Sequence, residues 1–177
     1  MLSLAHVEHT VPAQSVVEVD EHIPLSIAFG PVSPEHSVYW RAKSGCHTLL
    51  EVELSSTTGQ IRSVTLTAIS ANSVTVMVEV SPPNTVPAVH GIPCINVSSW
   101  ARSAAYNDRF FDVMADVHLC VAEDGCILQL GGACLLSQLV VCGALRFGFD
   151  EVGVLRVISI PLHDVAHRQT LVGFSQR

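Results

Sequence analysis

Leu50-Glu51-Val52-Glu53-Leu54-Ser55-Ser56-Thr57-Thr58-Gly59-Gln60-Ile61-Arg62-Ser63-Val64-Thr65-Leu66 is the stretch that decides the fold. Apolar residues alternate with polar ones on both sides of a polar turn. A period of two places every second side chain on one face of a strand, so each arm reads as a strand with one buried face. Gly59 gives the turn a residue that tolerates positive φ. Together the arms read as a β-hairpin. The same grammar returns about 95 positions later, as Leu145, Phe147 and Phe149, a turn with Gly153, then Leu155, Arg156, Ile158 and Ile160. The second turn is one residue shorter, and turns are where length varies most freely.

Other strands follow from the same period. Residues 11 to 29, with Val16, Val17, Val19, Ile23, Leu25 and Ile27, read as one or two strands broken near Pro24, and Val74 to Val80 as another. From Asp112 the alternation runs unbroken, with Val113, Ala115, Val117, Leu119 and Val121 on one side and Asp112, Met114, Asp116 and His118 on the other. Asp124-Gly125 then signals a hairpin turn. Residues 82 to 93, rich in Pro, read as a linker between two halves, about 1–90 and 91–177, of a single domain. Residues 99 to 107 read as a helical turn. The expected fold is all-β, mainly antiparallel, with two related hairpin-containing halves packed as a sandwich or curved sheet and little helix. The alternative is α+β, with one helix near 99–107 or 134–141.

Composition narrows the function classes. Hydrophobic residues make up 49% of the 177, yet no apolar run approaches the roughly 20 residues that span a bilayer. The apolar residues therefore belong to a β core, and no membrane partner is expected. Net charge is −7, and Lys43 is the one lysine. Nothing resembles a basic patch, which argues against nucleic acid. An acidic chain suits a basic partner, because complementary fields speed encounter. The N-terminus lacks a signal-peptide pattern, so the expected location is the cytoplasm. There the six cysteines stay reduced. Their spacings fit no zinc motif, and they read as small buried hydrophobes.

Several constellations invite chemistry. Asp112, Asp116 and His118 share a strand face, but Asp112 and Asp116 lie roughly 13 Å apart at a strand's rise and cannot share one metal. His163-Asp164 with His167 has helical spacing, and reads as a capped C-terminal turn. No nucleophile elbow, phosphate loop or zinc-protease helix is present. No metal or cofactor is expected. Arg62 and Arg156 occupy equivalent positions just after the repeat turns, in phase with Val64/Leu66 and Ile158/Ile160. Each is expected to pair with a carboxylate across its hairpin, for example Glu51 or Asp150.

The Tyr39-Trp40 pair, the first hairpin, and Leu145-Arg146-Phe147-Gly148-Phe149-Asp150 with Gly153-Val154-Leu155 resemble small bacterial proteins. Some of these serve as immunity proteins in contact-dependent inhibition systems. The resemblance implies a non-enzymatic antitoxin that binds a cognate toxin domain, and it carries over no functional residue. Electrostatic mimicry would be the mechanism, with carboxylates taking the place of a nuclease's phosphate substrate. Turn tips of a rigid β body are where binding residues concentrate. The expected toxin-binding patch is therefore Asp112, Asp116, Glu123, Asp124, Asp150 and Glu151. The competing reading is a small β-scaffold enzyme or ligand-binding protein that uses clustered His and Asp. A third is an assembly module that pairs through strand edges.

Overall fold

The computed structural model describes residues 1–9, 15–30, 35–45, 47–78, 86–98, 100 and 109–176. Apart from Trp100, the helical turn expected at 99 to 107 lies outside them. The early strands are β1 (Leu4–Glu8), β2 (Ser15–Glu18), β3 (Leu25–Phe29), β4 (Ser37–Ser44), β5 (Thr48–Ser55) and β6 (Ile61–Ala68). A short 3-10 turn, Ala71–Ser73, leads to β7 (Val74–Val76), then β8 (Ala88–His90) and β9 (Ile92–Ile95). The later strands are β10 (Phe110–Met114), β11 (Val117–Val121), β12 (Gly125–Leu130), β13 (Gln138–Cys142), β14 (Leu145–Phe149) and β15 (Leu155–Pro161). Helix α1 (Val165–Gly173) follows, and Asp164 caps it by accepting from the Ala166 N–H at 2.8 Å. The fold is all-β with one short helix, and the sheets are antiparallel and mixed.

Two large sheets repeat one topology. The first runs β10-β4-β5-β6-β3-β2, and the second runs β8-β13-β14-β15-β12-β11-β7. Each repeat hairpin, β5–β6 and β14–β15, thus sits inside its own sheet with equivalent strands in the same order. Each sheet also carries a parallel edge strand, β10 beside β4 and β8 beside β13. The inward residues of both hairpins share one apolar cluster, with Leu50, Val52, Leu54, Phe147 and Phe149 fully buried. Phe29 of β3 meets Phe147 of β14 at 5.9 Å between ring centroids, so the core lies between the two sheets. Cutting such a ring back to Ala costs about 3–5 kcal/mol.

A small ribbon ties the repeats together. β1 and β9 pair antiparallel, with Leu4 opposite Ile95. The Leu4 N–H donates to the Gly153 carbonyl at 2.8 Å, and the Ile95 N–H donates to the Gly59 carbonyl at 2.8 Å. Ser3 bridges Val154, and Cys94 bridges Gln60. The strand that precedes the first repeat thus clasps the turn of the second, and the strand that precedes the second clasps the turn of the first. Of the stretch read as a linker, residues 82–85 lie outside the described residues, while 88–90 and 92–93 are paired strand. Ile92 to Ile95 is wholly buried, because it forms half of that clasp.

Three further expectations change. The run from Asp112 is not one strand but two. β10 joins the first sheet and β11 the second, and the chain crosses between them at Ala115–Asp116. The Ala115 N–H donates to the Lys43 carbonyl in the first sheet, and the Asp116 carbonyl accepts from Gly131 in the second. Strand β7 covers Val74–Val76, and Met77 and Val78 fall outside it; Val80, the end of the expected strand, lies outside the described residues. The repeat arginines are out of phase, because each sits at a β-bulge. The register passes from Glu53↔Ser63 to Leu54↔Ile61, and from Gly148↔Val157 to Phe149↔Leu155. That leaves Arg62 and Arg156 as the extra residues. The bulge is why Ile61 and Val64, three apart, both face the core.

The two turn glycines separate the clasp from ordinary turn strain. Both have positive φ, +73° at Gly59 and +75° at Gly153. A Cβ at Gly59 would overlap the Ile95 carbonyl oxygen, whereas one at Gly153 meets open space. Gly153→Ala should therefore cost only the left-handed backbone penalty, about 1–2 kcal/mol. Gly59→Ala must also push β9 away, and should cost at least about 3 kcal/mol. Urea midpoints at constant slope measure the difference. Equal losses would mean that the close approach of β9 adds nothing.

Candidate functional site

The turn carboxylates do not form one patch. The Glu123-Asp124 turn joins β11 to β12, and Gly125 pairs with Pro161 at the end of β15. The Asp150-Glu151 turn feeds Leu155 at the start of β15. The tips therefore lie at opposite ends of a seven-residue strand, on the order of 20 Å apart. Asp116 lies at the Leu130 end of β12, away from Asp124. Alternation places a turn at each tip, but only the strand order shows which tips share an end.

Asp150 is moreover committed within its own turn. It is 6% exposed, and its carboxylate accepts from the Val152 and Val154 N–H groups at 3.1 and 2.9 Å and from Arg156 Nε at 2.8 Å. Burial pushes its carboxyl up, but the Val154, Arg156 and Val152 hydrogen bonds outweigh that and hold it below its ordinary value. It is the polar plug of the second repeat turn. Arg62 plays the matching part in the first, but its partner is Glu35 at 2.7 Å and not Glu51. Glu51 pairs with Thr65, well past the bulge, while Arg62 turns toward Ser37 Oγ at 2.9 Å.

The outer face of the first sheet does assemble a surface. Cross-strand register aligns Phe110, Tyr39, Glu53 and Ser63 in one row, and Asp112, Arg41, Glu51 and Thr65 in the next. Such directly opposed side chains are the units of contact on a sheet. Tyr39 stacks on Phe110 at 5.2 Å, and the Arg41 guanidinium lies 4.2 Å over the Phe110 ring. Asp112 clamps Arg41 Nε at 2.6 Å and Lys43 Nζ at 2.7 Å. The Lys43 hydrogen bond, with Arg41 behind it, keeps the Asp112 carboxyl below its ordinary value despite some burial. Glu53 accepts from Ser37 Oγ at 2.6 Å and Ser63 Oγ at 3.1 Å. Burial and then the Glu53 charge push Glu51 up, against the pull of Arg41. Burial and both glutamates push Tyr39 up as well. Glu51 and Glu53 thus lie beside the fixed aromatic rings and the Arg41–Asp112–Lys43 cluster. Of the six expected residues, Asp112 alone belongs to this face. Glu51, Glu53 and Tyr39 were visible as polar-face positions, but their union with Phe110 required the parallel addition of β10.

A second feature is a cleft of about 300 Å³ between the start of β2 and the end of β15. Val17, Leu145, Pro161 and Leu162 form its apolar wall, and Ser15, His163, Asp164 and His167 its polar rim. His163 and Asp164 thus lead into α1, with Asp164 as its N-cap and His167 in its first turn. Asp164 Oδ2 is 3.9 Å from His167 Nε2. Among the described residues, no group of three or more His, Cys, Asp or Glu side chains can hold a metal ion.

The cysteines mostly behave as core residues. Cys94, Cys126 and Cys142 are buried, Cys120 is half-buried and Cys134 is exposed. Burial pushes the Cys94 thiol up to about 11 and that of Cys126 up to about 12, so both stay protonated. Cys120 and Cys126 lie on adjacent strands but alternate to opposite faces, with Cys120 opposite Ile127 and Cys126 opposite Val121. No described helix is long and apolar enough to cross a membrane.

Compared with known families and with curated proteins, the chain matches no family model and no curated relative.

Asp150 gives a pH prediction. Its carboxyl is depressed in the fold, so the stability it contributes is complete above about pH 5 and is lost as pH falls below about 4, through the folded value. Asp150→Asn should lose about 1–2 kcal/mol at pH 7, since it leaves Arg156 half-buried without a counter-charge. Denaturant titrations from pH 7 to pH 2 should show the gap between the two proteins closing in the acid range. A gap independent of pH would assign the loss to shape alone.

Proposed function

We propose that this protein is a non-enzymatic immunity protein that binds and neutralises a cognate toxin domain through the outer face of β10, β4 and β5. The single observation that carries the reading is the pair Glu51 and Glu53, successive outward residues of β5, beside the Tyr39–Phe110 stack. Two carboxylates held near each other at a half-buried face gain from a partner's cations, which relieve their mutual repulsion. Aromatic rings fixed in advance lose little entropy on binding, and Tyr and Arg are frequent hot-spot residues. Asp112 holds Arg41 across the Phe110 ring, so the surface is organised before any partner arrives.

On this reading the partner is a protein domain with a basic surface, consistent with the net charge of −7. A toxin whose active site binds phosphate has such a surface, and the resemblance of the hairpins to immunity proteins points the same way. Carboxylates then fill the place of the phosphate and aromatic rings exclude water around them.

The test is co-expression with the product of the adjoining reading frame, followed by affinity measurement on the purified pair. Phe110→Ala combined with Glu51→Lys should weaken binding at least about 30-fold, the scale of a lost hot spot. Glu123→Lys with Asp124→Lys, at a remote turn, should leave it nearly unchanged. A thermal melt of each variant separates lost binding from lost folding. Unchanged affinity in the first double variant, or no complex with that product, would remove the proposal.

A further inference from the structure

The cleft between β2 and α1 is not used by the partner-binding face, and its chemistry is specific. Each polar side chain in its lining can accept a hydrogen bond; Ser15 and the imidazoles of His163 and His167 can also donate, and the Asp164 carboxylate is the one charged acceptor. Asp164 spends Oδ1 on the helix cap, which leaves Oδ2 facing His167 beyond hydrogen-bond distance. Among the described residues that line the cleft, none is Lys or Arg. The remaining lining residues are aliphatic. At about 300 Å³ the space matches the lower range of small-molecule sites, which combine an apolar body with a few convergent polar groups.

The cleft also marks where the two repeats differ. In the first repeat, the Thr48 hydroxyl at the start of β5 accepts from the Ser70 N–H at 3.0 Å, and the Ser44 hydroxyl at the end of β4 reaches Asp116 at 3.4 Å. The equivalent turn of the second repeat, between β13 and β14, lies beside β2 and α1 and leaves the cleft open.

We propose that this cleft binds small primary ammonium compounds with a short apolar skeleton. An ammonium group has three donors and one positive charge, which match the acceptors and the single carboxylate of the rim. Its carbon chain lies along Val17, Leu145 and Leu162. A carboxylate ligand meets Asp164 with like charge, and a neutral alcohol gains no charge pairing.

Pentylamine, pentanol and pentanoate, at fixed pH and ionic strength, form a matched probe series. Titration of the isotope-labelled full chain, followed by amide NMR, should give saturable pentylamine shifts centred on Val17, Leu145, Leu162 and His167. Pentanol should bind about fivefold more weakly, as expected for a carboxylate whose side chain is 57% exposed, and pentanoate more weakly still. Asp164→Asn keeps the helix cap, since Asn caps as well as Asp. It should weaken pentylamine about fivefold and leave pentanol unchanged. Ala144→Trp, at the lip of the cleft, should abolish the shifts of all three probes. Equal binding of the three probes, full pentylamine affinity in Asp164→Asn, or no saturable shifts at these residues would each overturn the proposal.

Discussion

Two backbone hydrogen bonds, from Leu4 to Gly153 and from Ile95 to Gly59, cross-link the two repeats around their shared core. They are equivalent bonds made by equivalent strands, and Leu4 and Ile95 face each other across the ribbon that joins them. A clasp of this kind needs a carbonyl presented at the tip of each turn, hence a residue with positive φ. At Gly59 it also needs a residue without a side chain, because β9 passes where a Cβ would be. The bulged arginines follow from the same design. Each turn bends toward the clasp, the bulge supplies the bend, and the displaced guanidinium finds a carboxylate next to the turn.

The core and the outer face are consequences of keeping that arrangement in phase. Strict alternation delivers Leu50, Val52 and Leu54 inward and leaves Glu51 and Glu53 outward on the same strand. The pair of glutamates is thus set by the hairpin, while the aromatic rings come from two strands far apart in sequence. Bringing β10 beside β4 costs the chain a crossing between sheets at Ala115–Asp116. That crossing places an aromatic ring, an arginine clamp and two carboxylates on one surface.

How much of this was legible follows from the period of two. Both hairpins, the Asp124-Gly125 turn and the all-β class could be read because alternation is local. The bulges could not, since an inserted residue looks like any other polar position until a partner strand counts two against one. The sheet crossing was hidden for a related reason. Val113, Ala115 and Val117 keep their phase through it, so the sequence shows one strand where the fold has two. The expected carboxylate patch failed on topology, because β15 separates its two tips. The cleft joins Ser15 to His163, a contact that no local pattern encodes. The pairing of Arg156 with Asp150 was correctly anticipated, since it spans a single turn.

The crossed clasp has a consequence for how the chain is made. A ribosome releases Leu4 long before Gly153 exists, and releases the Gly59 turn before Ile95. During that interval β1 has an attractive substitute at hand, the exposed Gly59 turn of its own repeat or of a neighbouring nascent chain. Contacts this distant in sequence form slowly. The same interchangeability that makes the fold symmetrical is the feature through which strands can be exchanged between molecules.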